Sequence, residues 1–426
     1  MHIAFFNRSF YPDTAATGQL LTELCEGLVK EHGCRVSVVA GVSLLPAAGG
    51  QANLPRRRIL KREWHNGVEI LRARGTRFSK KRFLGRFCNY VSYFLSACYA
   101  GFRLVRPDVV VALTDPPIIG LAAHLASRRF GVPFIMSYRD IFPEVAQLLE
   151  DFQSKTVERV LHRVNCFLVQ KAHRVVALGE TMRQRLIEGK MAAPSKTMII
   201  PDWADCSEIV PGPKRNPFSL AHGFADKFVV MHSGNVGLSQ GLETVVQTAA
   251  RLRQFPGIQI VFIGEGVKKP FLQDQAQAMG LENVLFLPYQ PKGGLRDSFA
   301  SADVFLVSLK RGFAGYIVPS KLYGILAAGR PYVAAVEEES EVSVITKRFD
   351  CGLLAEPGDP EDLAEKILIL YRDRELARRF GANAREAALH FDRPVQIRAY
   401  YELFRELADV HPTPSRVAAS PPEAAL

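Results

Sequence analysis

The stretch FVVMHSGNVGLSQGLETVVQTA, residues 228–249, joins an apolar run to a segment of helical spacing through a loop punctuated by Gly234, Gly237 and Gly241. An apolar strand, a glycine-rich turn and a helix make the repeating unit of a doubly wound parallel sheet. The loop is not G-x-G-x-x-G and carries no Gly-Lys-Ser/Thr, which removes the dinucleotide fingerprint and the P-loop. Its backbone amides can still turn toward a diphosphate.

Working outward, the same alternation fills most of the chain. HIAFFN, RVSVVAG, VEILRAR, DVVVALT, PFIMSYRD, RVVALG and MIIPD form a first series of strand-like runs. FVVMHSGN, IQIVFIGEG, NVLFLPY, ADVFLVSL, PYVAAVEE and CGLLAEP form a second. Continuous apolar strands between helices predict an α/β fold with parallel sheets covered on both faces. The segment 203–225, rich in proline, glycine and polar residues, reads as a linker. Residues 1–202 and 226–390 are thus expected to be two Rossmann-like domains facing a cleft, with an amphipathic helix at 391–410 and a disordered tail at 411–426.

Composition narrows the partners. A formal net charge of +11 favours an acidic one, whether nucleotide, nucleic acid or anionic membrane. Seven scattered cysteines without a C-x-x-C pair argue against disulfides or zinc and suit a reducing cytoplasm. No D-x-D and no histidine pair of metal-ligand spacing appears, so no metal is expected. Between Arg56 and Leu104, basic residues interleave with aromatics, and the run from Phe83 is too interrupted by Arg86, Asn89 and Arg103 to span a membrane. Contact with an anionic membrane surface is the reading adopted there, ahead of a core helix with a solvated loop and of nucleic acid.

Ligands of such sheets bind beyond the carboxyl ends of the strands, which selects the candidate residues. On the second domain these are the loop Gly234, Asn235, Val236, Gly237, Gln240 and Gly241, then Gly264 and Glu265, Tyr289, and Gly315 and Tyr316. They end with VPSKLYGILAAGRP, 318–331, where Ser320 reads as an N-cap and Gly329 as a left-handed stop. Pro319 sets the approach, and Lys321 adds a positive charge at the helix start. On the first domain Thr17 and Gly18 open a helix, and SYRDIFPEVA places Arg139, Asp140 and Glu144 at a strand end. There the arginine could hold an anion and the aspartate a sugar hydroxyl.

In combination, NRSFYPDTAATGQLLTEL, RDIFPE, SGNVGLSQGLETV and VPSKLYGILAAGRP resemble the GT-B glycosyltransferases, within them the family-4 retaining enzymes of bacterial surface-polysaccharide and lipid-linked oligosaccharide synthesis. The resemblance covers residues 1 to about 410. It implies a sugar nucleotide, UDP-linked, held mainly by the second domain, a lipid-linked or saccharide acceptor held by the first, no metal, and a C-terminal helix crossing back to the first domain. It also implies catalytic roles for Arg139, Asp140 and Lys321. The chain departs from the family pattern where Asn235 and Gln240 replace an arginine and a lysine of the diphosphate loop. Gly324 replaces a ribose-binding glutamate, with Tyr316 eight residues earlier, and Arg139-Asp140 stands for a His-Asp pair. Two alternatives remain open at this point, a non-catalytic sugar-nucleotide-binding partner subunit and a sugar-nucleotide 2-epimerase. The expected location is cytoplasmic, peripheral at the inner membrane face.

Overall fold

The computed structural model describes residues 1–13, 15–43, 59–76, 78, 83–149 and 154–410. Each run named above forms a strand. The first sheet contains β1 His2–Phe6, β2 Arg35–Gly41, β3 Leu60–His65, β4 Val68–Ala73, β5 Val109–Ala112, β6 Phe134–Ser137, β7 Arg174–Ala177 and β8 Thr197–Ile199. Their order is β3-β4-β2-β1-β5-β6-β7-β8. Both faces are buried: Ile3 and Phe5 point into one apolar cluster, Ala4 and Phe6 into another. That two-sided burial is why the strands are continuously apolar.

One strand departs from expectation. Leu60–His65, LKREWH, was read as part of a basic stretch, yet it forms β3, an antiparallel edge. Its charges are used across the ladder, with Arg62 on Glu69 at 2.9 Å and Glu63 on Arg72 at 3.0 Å. Charged side chains suit an edge that must not recruit another strand.

The second sheet contains β9 Phe228–Ser233, β10 Ile258–Ile263, β11 Val284–Leu287, β12 Val304–Ser308, β13 Tyr332–Ala335 and β14 Gly352–Ala355, all parallel, in the order β11-β10-β9-β12-β13-β14. In each sheet the winding direction reverses once, between β1 and β5 and between β9 and β12. Loops leaving the carboxyl ends at those reversals splay apart and open a crevice.

The connecting segment is more ordered than a linker reading suggests. It holds a helix, Pro217–Ala221, closed by a capping box between Asn216 and Ser219. The helix Arg393–Val410 returns to the first sheet, where Ile397, Tyr400, Leu403 and Phe404 share a core with Ile3, Phe5 and Leu24. The tail 411–426 and the basic residues 56–58, 77 and 80–82 lie outside the described residues. Among the described residues, no helix is long and apolar enough to cross a membrane.

Candidate active site

At the second sheet's reversal, the loop after β9 and the loop after β10 pack directly on each other. Gly234 N–H donates to Ile263, and Val236 N–H donates to the Glu265 carbonyl. A Cβ at Gly264 would run into the Gly234 carbonyl oxygen, and one at Gly266 into that of Val236. With φ of 148° and 159°, both positions are also closed to ordinary side chains. These glycines therefore serve loop-on-loop contact.

Three amides of the proposed diphosphate loop are consequently committed. Gly237 N–H is bound by the Gln240 side chain at 3.0 Å, beside the committed amides of Gly234 and Val236. The amides of Leu238, Ser239 and Gln240 have no partner among the described residues. Val236 turns its side chain into the core, fully buried, so only its backbone faces the loop. Asn235 is exposed. Gly241, φ 60°, lies against Lys310, whose own amide donates to Ser239.

The helix Lys321–Ala327 buries Leu322, Tyr323, Ile325 and Leu326, and Gly329 follows it with φ 61°. Pro319 stands just before it, partly buried. Ser320 does not cap through its side chain: it is already helical, at φ −59° and ψ −21°, and its hydroxyl makes no hydrogen bond among the described residues. Lys321 reaches back to the loop after β9. Its Nζ would stand 3.7 Å from a Cβ on Gly234 and lies 3.2 Å from Nε2 of His232. Burial pulls the Lys321 ammonium down to about 7. Gly324 faces Phe299, whose ring lies 3.0 Å from where a Cβ would be, so this position packs the helix.

Other donor-side candidates lie further out. Glu265 is exposed and paired with Lys269 at 2.8 Å. Tyr289 is half-exposed at the end of β11's loop. Gly315 and Tyr316 turn away from the donor crevice, toward the first domain's helix Glu180–Lys190. A Cβ on Gly315 would stand 2.8 Å from both Arg185 and Thr181, and Arg185 lies over the Tyr316 ring at 5.0 Å. They form a seam between the domains.

On the first domain the expectations are corrected at two residues. Arg139 is not free to hold an anion: it is buried in an ion pair with Asp202, under Trp203. Glu144 is likewise spent, accepting from Lys190 at 2.6 and 2.9 Å, with His162 at 3.4 Å. Thr17 and Gly18 lie inside the helix Ala16–His32, where Gly18 is buried against Phe10 and Ser9. Asp140 is different. Its carboxylate has no hydrogen bond or ion pair among the described residues, and burial raises it to about 6 against the nearby Arg139 charge.

Asp140 also sits at the junction. Its backbone bridges Ile317, and Ile141 N–H donates to Tyr316 at 3.0 Å. The chain carrying Asp140 therefore lies alongside the segment that leads into Lys321. Beside it, at the reversal of the first sheet, Arg8 pairs with Asp115 at 3.0 Å and Ser9 donates to the same carboxylate. Neither Arg8, Asp115 nor His232 stands out in the sequence, although a histidine inside an otherwise apolar strand was a usable signal.

Residues 16–203 match the family model for the glycosyl transferase 4-like domain, and residues 218–387 that for glycosyl transferases group 1. The chain is 31% identical over 301 residues to "Probable glycosyltransferase WbjE" of Pseudomonas aeruginosa, covering 68% of this chain and 73% of that one. It is 31% identical over 248 residues to "Putative colanic acid biosynthesis glycosyl transferase WcaI" of Escherichia coli K12, covering 56% and 57%. Among solved structures, Anabaena Alr3699/HepE in complex with UDP and glucose superposes with a TM-score of 0.72 at 18% identity, over 96% of this chain and all of that one.

Proposed function

This chain belongs to the group 1 glycosyl transferases, and we propose that it moves a sugar from a UDP-linked donor to a lipid-linked or growing saccharide acceptor, with retention and without a metal ion. The observation that carries the reading is Lys321, whose Nζ lies against Gly234 at the reversal of the second sheet, where no carboxylate among the described residues neutralises it. The choice of UDP is supported by the UDP and glucose bound to the similarly folded HepE. The saccharide acceptor is supported by the relative named for colanic acid biosynthesis.

In the proposed reaction an acceptor hydroxyl oxygen bonds to the donor C1 while the bond from C1 to the diphosphate oxygen breaks. Positive charge spreads over C1 and the ring oxygen, and negative charge grows on the diphosphate. Lys321 and the uncommitted amides of Leu238 to Gln240 stabilise that charge, a preorganised electrostatic term. The hydroxyl proton passes to the departing phosphate oxygen on the same face. Asp140, across the junction, accepts a hydrogen bond from an acceptor sugar hydroxyl. Arg139 contributes by holding the Asp140 segment in place through Asp202.

Membrane contact is proposed for the first domain between β3 and the helix Phe83–Arg103. Ile59, Leu95, Tyr99 and Phe102 are exposed there, beside Lys61, Arg62 and Arg103. Such a surface suits a peripheral enzyme whose acceptor is a lipid. The test is transfer from UDP-glucose, UDP-galactose and UDP-N-acetylglucosamine to extracted membrane lipids, with EDTA present, followed by proton NMR of the new anomeric centre. Transfer with the donor's own configuration supports the reading; inversion, or a strict need for added metal, contradicts it.

A further inference from the structure

His232 lies in the interior of β9, two residues before Gly234, and is fully buried. A polar ring in such a place costs stability unless its nitrogens are used. Both are: Nε2 lies 3.3 Å from the Asn235 carbonyl oxygen, and the Lys321 Nζ stands within 3.5 Å of each ring nitrogen. With the proton on Nε2 and aimed at Asn235, only Nδ1, 3.5 Å from Nζ against 3.2 Å for Nε2, keeps a lone pair for the ammonium. Lys321 has no ion pair among the described residues, so the imidazole is the group that orients it.

The choice of residue matters chemically. A carboxylate at this position would orient the lysine but cancel its charge and repel a diphosphate. An aliphatic side chain would leave the ammonium without direction. A neutral imidazole accepts one hydrogen bond and leaves the positive charge available.

We propose that His232 is a positioning residue whose neutral imidazole holds the Lys321 Nζ at Gly234, fixing loop and lysine in the arrangement that receives the donor's diphosphate. The proposal rests on the donor-site reading above. Burial, and then the Lys321 charge, hold His232 well below its ordinary range, which keeps it the acceptor at neutral pH. Among the described residues, no carboxylate and no second cation contacts either partner. Burial meanwhile draws Lys321 to about 7, so an arriving diphosphate should pull a proton onto it.

The experiment is calorimetric titration of UDP, at pH 8 and in buffers of different ionisation heat, into the intact chain and into His232→Leu, His232→Asn and Lys321→Met. Melting curves check each variant, and kcat/KM is followed against pH. The intact chain should take up protons on binding, and Lys321→Met should not. His232→Leu should weaken UDP binding by about tenfold to a hundredfold, the loss of one hydrogen bond to a charged group. Its alkaline limb should move to lower pH, because the ammonium has lost a favourable acceptor. His232→Asn, which restores an acceptor, should recover part of both effects. The inference is overturned if the leucine variant keeps wild-type affinity and an unmoved limb, or if leucine and asparagine are equally impaired. Should His232→Leu not fold, His232→Ala takes its place, and wild-type affinity with an unmoved limb in that variant overturns the inference. Failure of the intact chain to bind UDP would overturn the donor reading as well.

Discussion

At the scale of single residues, the site sets two opposite titrations against each other. Asp140, raised to about 6, accepts a hydrogen bond best when ionised, so kcat/KM should fall as pH drops through that value. Lys321, lowered to about 7, acts only when protonated, so kcat/KM should fall as pH rises through that value. A narrow bell in the pH profile of the free enzyme is the expected outcome, and Asp140→Asn should remove its acid limb. Stability runs the opposite way. The folded chain binds the Asp140 proton more tightly than the unfolded chain, so the carboxyl's contribution is present below the ordinary aspartate value of 3.8 and is lost as pH rises toward 6. That loss is about 3 kcal/mol, and urea melts of wild type against Asp140→Asn across this window measure it. Lys321→Ala should cut kcat by about a hundredfold to a thousandfold with little change in melting temperature. Lys321 was legible because Pro319-Ser320-Lys321 interrupts an apolar run just where helical spacing resumes. Arg139 was misread because its partner, Asp202, lies on another strand's loop, and no local spacing announces such a pair. His232 was passed over because one histidine in an apolar strand reads as core.

At the scale of elements, two contacts fix how loops and helices meet. Gly264 exists for the approach of the two crevice loops. Gly264→Ala must shift the Gly234 carbonyl and adopt a strained backbone, at a cost of at least about 1–3 kcal/mol. UDP affinity should fall with it, and calorimetry together with a melting curve measures both. Across the domain seam, Glu341 from the helix Glu341–Phe349 accepts from the Glu180 amide at 2.9 Å, capping the start of the first domain's helix. Glu341→Ala removes that cap and should cost about 1 kcal/mol in urea unfolding, as losses of N-caps do. The strands themselves were legible because two-sided burial demands unbroken apolar runs. The edge strand β3 was not, because Arg62 and Glu63 find their partners, Glu69 and Arg72, on β4. Two of the committed amides after β9, those of Gly234 and Val236, were likewise invisible: the carbonyls that engage them, of Ile263 and Glu265, lie at and just beyond the end of β10.

At the scale of the whole molecule, the chain places two reversed sheets so that their carboxyl ends share one crevice, and it closes the arrangement with a helix from the far end of the sequence. Ile397 is fully buried there, so near Gly27 that a Cβ on the glycine would strike it. Ile397→Ala should cost about 2–5 kcal/mol, seen in urea unfolding, although the residue is remote from the crevice. The two-sheet plan was readable from two series of strands and one break in composition. What the break could not reveal is the seam, where Tyr316 and Gly315 left the donor crevice for the first domain. The central claim is that a nucleoside diphosphate lies between the loop after β9 and Lys321. It is tested most directly by thermal shift of the intact chain and Lys321→Met with UDP, GDP, ADP and dTDP, with EDTA or with magnesium. The account predicts that UDP raises the melting temperature equally in both conditions and that Lys321→Met loses most of the rise. A rise that survives Lys321→Met, or no rise with any nucleotide, would contradict it.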